Sequence, residues 1–185
     1  MPNDEGNVSL FNLSGEEIDA FDYSEDFHLG ILESTDGVSL ERIDLTSQTQ
    51  DRNNWSSASS TVGFATPGYE NSQNFLGGTK GMEVAVDPRV FVPNSSNPAH
   101  ASFTTIQYEF SQSGLLANVI LYDTNGKAIA QLANGISLGT SGFFRWDGTN
   151  ASGALVRPGY YVVFVEVYDG AGYSDSFKET VVVGR

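Results

Sequence analysis

The chain has 185 residues, with 23 Asp and Glu against 9 Lys and Arg, a net charge of −14, 39% hydrophobic residues and no cysteine. That apolar share supports a folded core and argues against wholesale disorder. The acidic balance repels phosphate backbones, so nucleic acid is an unfavourable partner, and the absence of cysteine excludes disulfides, thiolate metal sites and cysteine nucleophiles.

No stretch approaches the roughly 20 apolar residues that span a bilayer, so membrane insertion is not expected. Met1-Pro2-Asn3-Asp4-Glu5 has neither a basic nor an apolar leader region, which places any export signal outside this sequence. Residues 7–13 and 17–23, separated by Ser14-Gly15, are predicted to form a hairpin with Val8, Leu10, Ile18 and Phe21 as core candidates. Residues 37–45 alternate Val38 and Leu40 with Ser39 and Glu41, which predicts a third strand with its apolar side inward. From 46 to 73 the chain is rich in Ser, Asn, Thr and Gly and is expected to be coil. Three strands bury too little to stand alone. This half must lean on the rest of the chain, on another copy or on further residues.

The charge balance changes near residue 76. Residues 1–75 hold 14 acids and two bases, and residues 76–185 hold nine acids and seven bases. A shift of that size with a Gly-rich stretch predicts a partial β domain over 1–75, a linker over 76–82 and a second domain over 83–185.

The second domain alternates with period two almost throughout. Val84 and Val86 continue to Val90 and Val92, and Ile106, Tyr108 and Phe110 share one face. Residues 115–122 are nearly all apolar, as expected of a strand covered on both sides. Asn125-Gly126 is a strong hairpin signal leading into 127–132. Residues 142–146, 160–168 and 177–183 complete about seven short strands with turn signals every ~8–12 residues. The expected class is all-β, an immunoglobulin-like β-sandwich with a partial second β-sandwich before it.

Two stretches resemble known families. Gly6-Asn7-Val8 with Leu10 and Asn12, Ile18-Asp19 with Asp22-Tyr23-Ser24, residues 37–42, Asn54-Trp55-Ser56-Ser57-Ala58, and residues 63–68 with 71–73 follow the motif order of the C-terminal portion of a bacterial lamin-tail domain. That resemblance implies an immunoglobulin-like sandwich that this chain enters partway. Residues 83–183 resemble the immunoglobulin-like module related to that of the flagellar hook-capping protein, found at the C-termini of large secreted Bacteroidetes-type proteins. The match rests on Val90-Phe91-Val92-Pro93, Ile106 and Tyr108, residues 117–119, Leu121-Tyr122-Asp123 with Gly126, Leu132, Phe144-Arg145-Trp146-Asp147-Gly148, Gly153, Gly159-Tyr160-Tyr161 and Lys178. Relatives often carry a Ser-Pro-Asp-Gly-Asp-Gly turn where this chain has residues 92–98, Val-Pro-Asn-Ser-Ser-Asn-Pro. A calcium-like loop is therefore not carried over.

The second resemblance implies a non-catalytic export or anchoring module, exposed outside the cell and read by type IX secretion or outer-membrane machinery. Gly126, Trp146, Gly159, Tyr160 and Lys178 are the candidates for that recognition. No cofactor is expected. His28 and His100 lie in polar stretches without a strained serine elbow, so loop positions outweigh a catalytic triad. The 23 acids allow a paired-carboxylate hydrolase only formally, because nothing places two across a cleft. Asp19, Asp22, Glu25, Asp26 and His28 gather potential metal ligands, yet their spacing fits no calcium or zinc pattern and a solvated acidic loop is favoured. Asp147-Gly148-Thr149-Asn150 is explained by turn chemistry. The rival function is carbohydrate or protein binding, with Trp55, Trp146, Tyr160, Tyr161, Tyr168 and Tyr173 as stacking candidates for glycan.

Overall fold

The computed structural model describes residues 4–74 and 81–185. The predicted linker 76–82 therefore lies outside the described residues except for Gly81 and Met82. Twelve strands run in chain order: β1 (Glu5–Phe11), β2 (Glu17–Ser24), β3 (Leu40–Arg42), β4 (Trp55–Ser57), β5 (Glu83–Asp87), β6 (Val90–Phe91), β7 (Thr104–Glu109), β8 (Leu116–Asp123), β9 (Ala128–Ser137), β10 (Ser141–Trp146), β11 (Gly159–Tyr168) and β12 (Ser174–Val183). Single 3-10 turns at Glu25–Phe27, Arg52–Asn54 and Ser60–Val62 are the helical elements of the described residues.

Strands β5 to β12 form the sandwich. A three-stranded sheet of order β10-β7-β5 faces a five-stranded sheet of order β6-β12-β11-β8-β9. All pairs are antiparallel except β6 with β12. Period-two alternation carries the inward residues of both sheets into one core. Val86, Ile106 and Trp146 of one layer and Val119, Leu121, Val163, Val165 and Val181 of the other are almost completely buried. Trp146 sits at its centre, edge-on to Phe91 at 5.5 Å and to Tyr161 at 5.3 Å. Its indole N–H donates to the Thr149 carbonyl at 2.8 Å, so the one polar atom of the ring is satisfied.

Two expectations for this domain need correction. Val90 and Val92 do not continue the inward face of Val84 and Val86. At Pro88 and Arg89 the chain leaves the three-stranded sheet and joins β12, so Phe91 is buried at 1% exposure and Val90 is 58% exposed. Nor is β8 covered on both sides. Ala117, Val119 and Leu121 face the core, while Ile120 and Tyr122 remain partly exposed on the outer face.

The N-terminal half departs further from its pattern. β1 and β2 pair as expected, but Val8, Leu10 and Ile18 are 46%, 59% and 61% exposed, and Phe21 is only half-buried. The alternation in 37–42 is inverted: Glu41 is buried and Val38 and Leu40 are partly exposed. Polar partners explain the inversion. The Glu41 carboxylate accepts hydrogen bonds from Thr66, from Ser72 Oγ at 2.6 Å and from the Gln73 amide at 3.1 Å. A buried charge is retained where several donors meet it. The stretch 46–73 is not plain coil either, since β4 lies within it and pairs with β3.

Residues 59–74 lean on the β9–β10 corner of the sandwich. Gln73 is fully buried and its amide donates to the carbonyls of Ser57 at 2.9 Å and Leu138 at 2.8 Å, while its oxygen accepts from the Gly114 N–H at 3.1 Å. Ser59 and Ser60 both donate to the Ser137 carbonyl, and the Thr140 N–H donates to the Ser72 carbonyl at 2.9 Å. The approach is close. A Cβ at Gly139 would stand 2.6 Å from the Ser72 carbonyl oxygen, so only glycine fits that position.

Candidate interaction surfaces

The outer face of the five-stranded sheet is built by the side chains that alternate away from the core. On β11 these are Tyr160, Val162, Phe164, Glu166 and Tyr168, and the register sets Phe164 opposite Ile120 of β8 and Lys178 of β12. Tyr160 is 65% exposed, whereas its neighbour Tyr161 is buried at 7%, donating its hydroxyl to the Arg157 carbonyl. Phe164 stands edge-on to Tyr122, with the Lys178 ammonium 5.8 Å from its ring centre, within reach of a weak cation–π attraction. Asn118 donates to Glu166 at 2.8 Å and fixes the far end of the face.

The five recognition candidates do not form one cluster. Tyr160 and Lys178 share this outer face, four residues apart in register, or about 13 Å at ~3.3 Å per residue. Gly126 occupies the β8–β9 turn at φ +78°, where it closes a turn onto Asp123, and Tyr161 pairs with Asp123. The turn therefore lies at the same end as Gly159 and Tyr160. Trp146 stands apart, in the core. Tyr160 and Tyr161 point to opposite faces, as strand alternation requires, but Ile120 and Tyr122 were missed as surface groups because the apolar run 115–122 reads as interior. The signal was present in the even numbering of 120 and 122.

The second surface is a groove of about 490 Å³ in the N-terminal half. Phe21 stacks on Trp55 at 3.8 Å with the rings 13° from parallel, and the Trp55 indole N–H donates to the Thr49 carbonyl. Val8, Leu10, Val38 and Leu40 add apolar walls, and Asp19, His28 and Arg42 stand at the edges. Asp19 accepts from Thr49 at 2.7 Å and lies 3.8 Å from Arg42. His28 Nδ1 is 2.9 Å from Ser57 Oγ, and burial holds its pKa below the ordinary 6.5 against the opposing pull of Glu25.

The acidic residues from Asp19 to His28 diverge. Asp22 accepts from Asn7 at 2.7 Å, Asp19 turns to Thr49, and His28 turns to Ser57. Among the described residues, no group of three or more His, Asp or Glu side chains is placed to hold a metal. His100 is exposed, 3.5 Å from Ser95 Oγ. Asp147 caps its own turn by accepting from the Thr149 N–H and hydroxyl, which lowers its pKa. Of the six stacking candidates for sugar, only Tyr160 is well exposed: Trp146 and Tyr161 are buried, and Trp55, Tyr168 and Tyr173 are partly so.

No protein-family model matches the chain, and no curated protein matches it. Solved structures do. PorZ, a bacterial surface component of the type IX secretion system of Porphyromonas gingivalis, is similar over 55% of this chain and 11% of its own, at 27% identity and a TM-score of 0.34. FlgD from P. aeruginosa is similar over 43% of this chain and 61% of its own, at 21% identity and a TM-score of 0.37. CopC from Methylosinus trichosporium OB3b covers 55% of this chain with 92% of its own, at 16% identity and a TM-score of 0.35. The chain thus spans about a tenth of that PorZ chain. Among the described residues, no helix is long and apolar enough to cross a membrane.

Proposed function

We propose that this chain is a non-catalytic export and docking module of a secreted or cell-surface bacterial protein, read or anchored by type IX secretion machinery. The observation that supports it is the outer face of the five-stranded sheet, where Tyr160, Val162, Phe164, Tyr122 and Lys178 share a side that no further layer of the described residues covers. A sheet face with an exposed aromatic and a cation suits recognition by another protein. The motif order of residues 83–183 supports the secretion assignment, and that of residues 6–73 supports a lamin-tail-like origin for the N-terminal half. In this reading Tyr160 and Lys178 touch the machinery, Gly126 and Gly159 set the geometry of that end, and Trp146 acts only by holding the fold.

A reporter carrying residues 1–185 at its C-terminus is expected to reach the surface of a type IX-competent host. Tyr160→Ser combined with Lys178→Glu should abolish delivery while leaving the unfolding midpoint unchanged. Normal delivery of that variant overturns the proposal. Because the Tyr160 ring is open to solvent on this face, it also fits a sugar ring. Saturable binding on a polysaccharide array, lost in Tyr160→Ser while export persists, would make glycan binding the function of this face.

A further inference from the structure

The groove of the N-terminal half is not used by the reading above. We propose that it docks an extended strand of a partner polypeptide, one in which apolar residues alternate with Lys or Arg, added along the outer edge of β1.

Three observations converge on that occupant. First, the apolar face is exposed: Val8 and Leu10 are 46% and 59% open, above a floor already set by the Phe21–Trp55 stack. Exposed apolar patches of this kind mark interaction sites. Second, among the described residues one edge of the hairpin has no neighbouring strand. Among the described residues β1 and β2 form a sheet of two strands only. The outer edge of β2 is occupied by Gln50, whose side-chain amide donates to the Ala20 carbonyl at 3.0 Å and accepts from the Asp22 N–H at 3.4 Å. Gln50 so takes the place of a neighbouring strand, and addition is left to β1. An added strand gains main-chain hydrogen bonds along the edge, and its alternate side chains enter the groove.

The third observation is charge. Residues 4–41 contain 11 acids and no Lys or Arg. The bases that follow are engaged internally, Arg42 with the Ser47 carbonyl and Asp19, Arg52 with the Asp26 carbonyl. Asp19 stands on the rim of the groove, and Glu5, Glu16, Glu17 and Asp22 belong to the same hairpin, so its surroundings are strongly negative. A second copy of the chain would bring the same acids edge to edge. A basic strand places its cations over that rim while its apolar residues fill the groove, and such complementarity chooses among partners.

The test uses the full chain and two synthetic ten-residue peptides, one alternating Val with Lys and the other Val with Glu. Nuclear magnetic resonance titration should show saturable one-to-one binding of the lysine peptide, with the Asn7 and Ser9 amides shifting, and binding of the glutamate peptide weaker by about tenfold or more. Val8→Lys combined with Leu10→Lys, both at exposed positions, should weaken the lysine peptide by a similar factor, and Tyr160→Ser should leave it unchanged. Equal binding of both peptides, or saturable binding of neither, overturns the proposal. So does a dimer at micromolar concentration that protects the β1 amides from exchange, which assigns the groove to a second copy. Protection of those amides in the monomer overturns it as well, because the chain then covers its own groove.

Discussion

The two halves of this molecule keep their interiors in opposite ways. Between its sheets the sandwich buries an apolar cluster running from Val84 to Val183, with Trp146 in the middle. In residues 4–74 the buried hydrophobic residue is Ala58, and the other buried residues are polar: Glu41, Asn54, Ser56, Ser57, Ser59 and Gln73. Apolar burial is non-directional and tolerates small shifts. A polar interior depends on each hydrogen bond, because an unpaired buried donor or acceptor is destabilising by ~1–3 kcal/mol. Residues 39–74 are therefore a strap whose segment 59–74 is hydrogen-bonded onto the sandwich, with large apolar side chains left outside on the hairpin. Each half carries one tryptophan, Trp146 in the sandwich and Trp55 in the N-terminal half, so the two can be followed separately.

The largest effect is expected in the sandwich. Trp146→Ala removes the core's largest buried side chain and its contacts with Phe91 and Tyr161, a loss of about 3–5 kcal/mol. Chemical denaturation followed at Trp55 tells whether the strap survives without its support. If the Trp55 transition stays where it was, residues 39–74 fold on their own and the strap description fails.

Gln73→Leu probes the strap from the other side. It strips partners from the Ser57 and Leu138 carbonyls and from the Gly114 N–H without changing the apolar core. About 2–3 kcal/mol is expected, as for leaving buried groups unsatisfied. Glu41→Leu should fall in the same range, since it orphans the Ser72 hydroxyl and the Gln73 amide. Both variants should shift the Trp55 transition more than the Trp146 transition. Equal shifts would mean that strap and sandwich unfold as one cooperative unit.

How far the fold could be read in advance follows the same division. Ile106, Tyr108 and Phe110 announced an inward face, and the structure buries all three, because in a sheet with one covered side the pattern and the burial are the same information. The turn at Gly126 was legible for a similar reason, since its φ of +78° is a local demand that glycine meets. Glu41 misled. Its burial depends on Thr66, Ser72 and Gln73, partners 25 or more residues away that no local period can encode. The hairpin misled too: Val8, Leu10 and Ile18 have the residue types of a core, but no layer of the described chain covers them. Of the recognition candidates, Tyr160 and Lys178 could be put on a surface by alternation, whereas the partly open Ile120 and Tyr122 of β8 looked like interior.

A smaller effect, governed by pH, separates the halves further. Burial lowers the pKa of His28 from its ordinary 6.5, with Glu25 opposing. The unfolded chain then binds the proton more readily than the folded one, so stability present above about pH 6.5 declines as the pH falls. The Trp55 transition should move to lower denaturant between about pH 7 and pH 5, and His28→Gln should flatten that slope. An unchanged slope in His28→Gln would assign the acid sensitivity to the carboxylates of the strap.

The smallest effect is expected at Tyr160. Its ring is 65% exposed and lies on the outer face, so Tyr160→Ser removes little buried area and should change stability by no more than about 0.5 kcal/mol at either tryptophan. Tyr161→Ser, one residue along the same strand, should be destabilising by several-fold more, because that ring packs edge-on against Trp146 and its hydroxyl serves the Arg157 carbonyl. The pair measures the sidedness of β11 directly. Equal losses at 160 and 161 would mean that the outer face is packed against something in solution, and its role as an open docking surface would have to be given up.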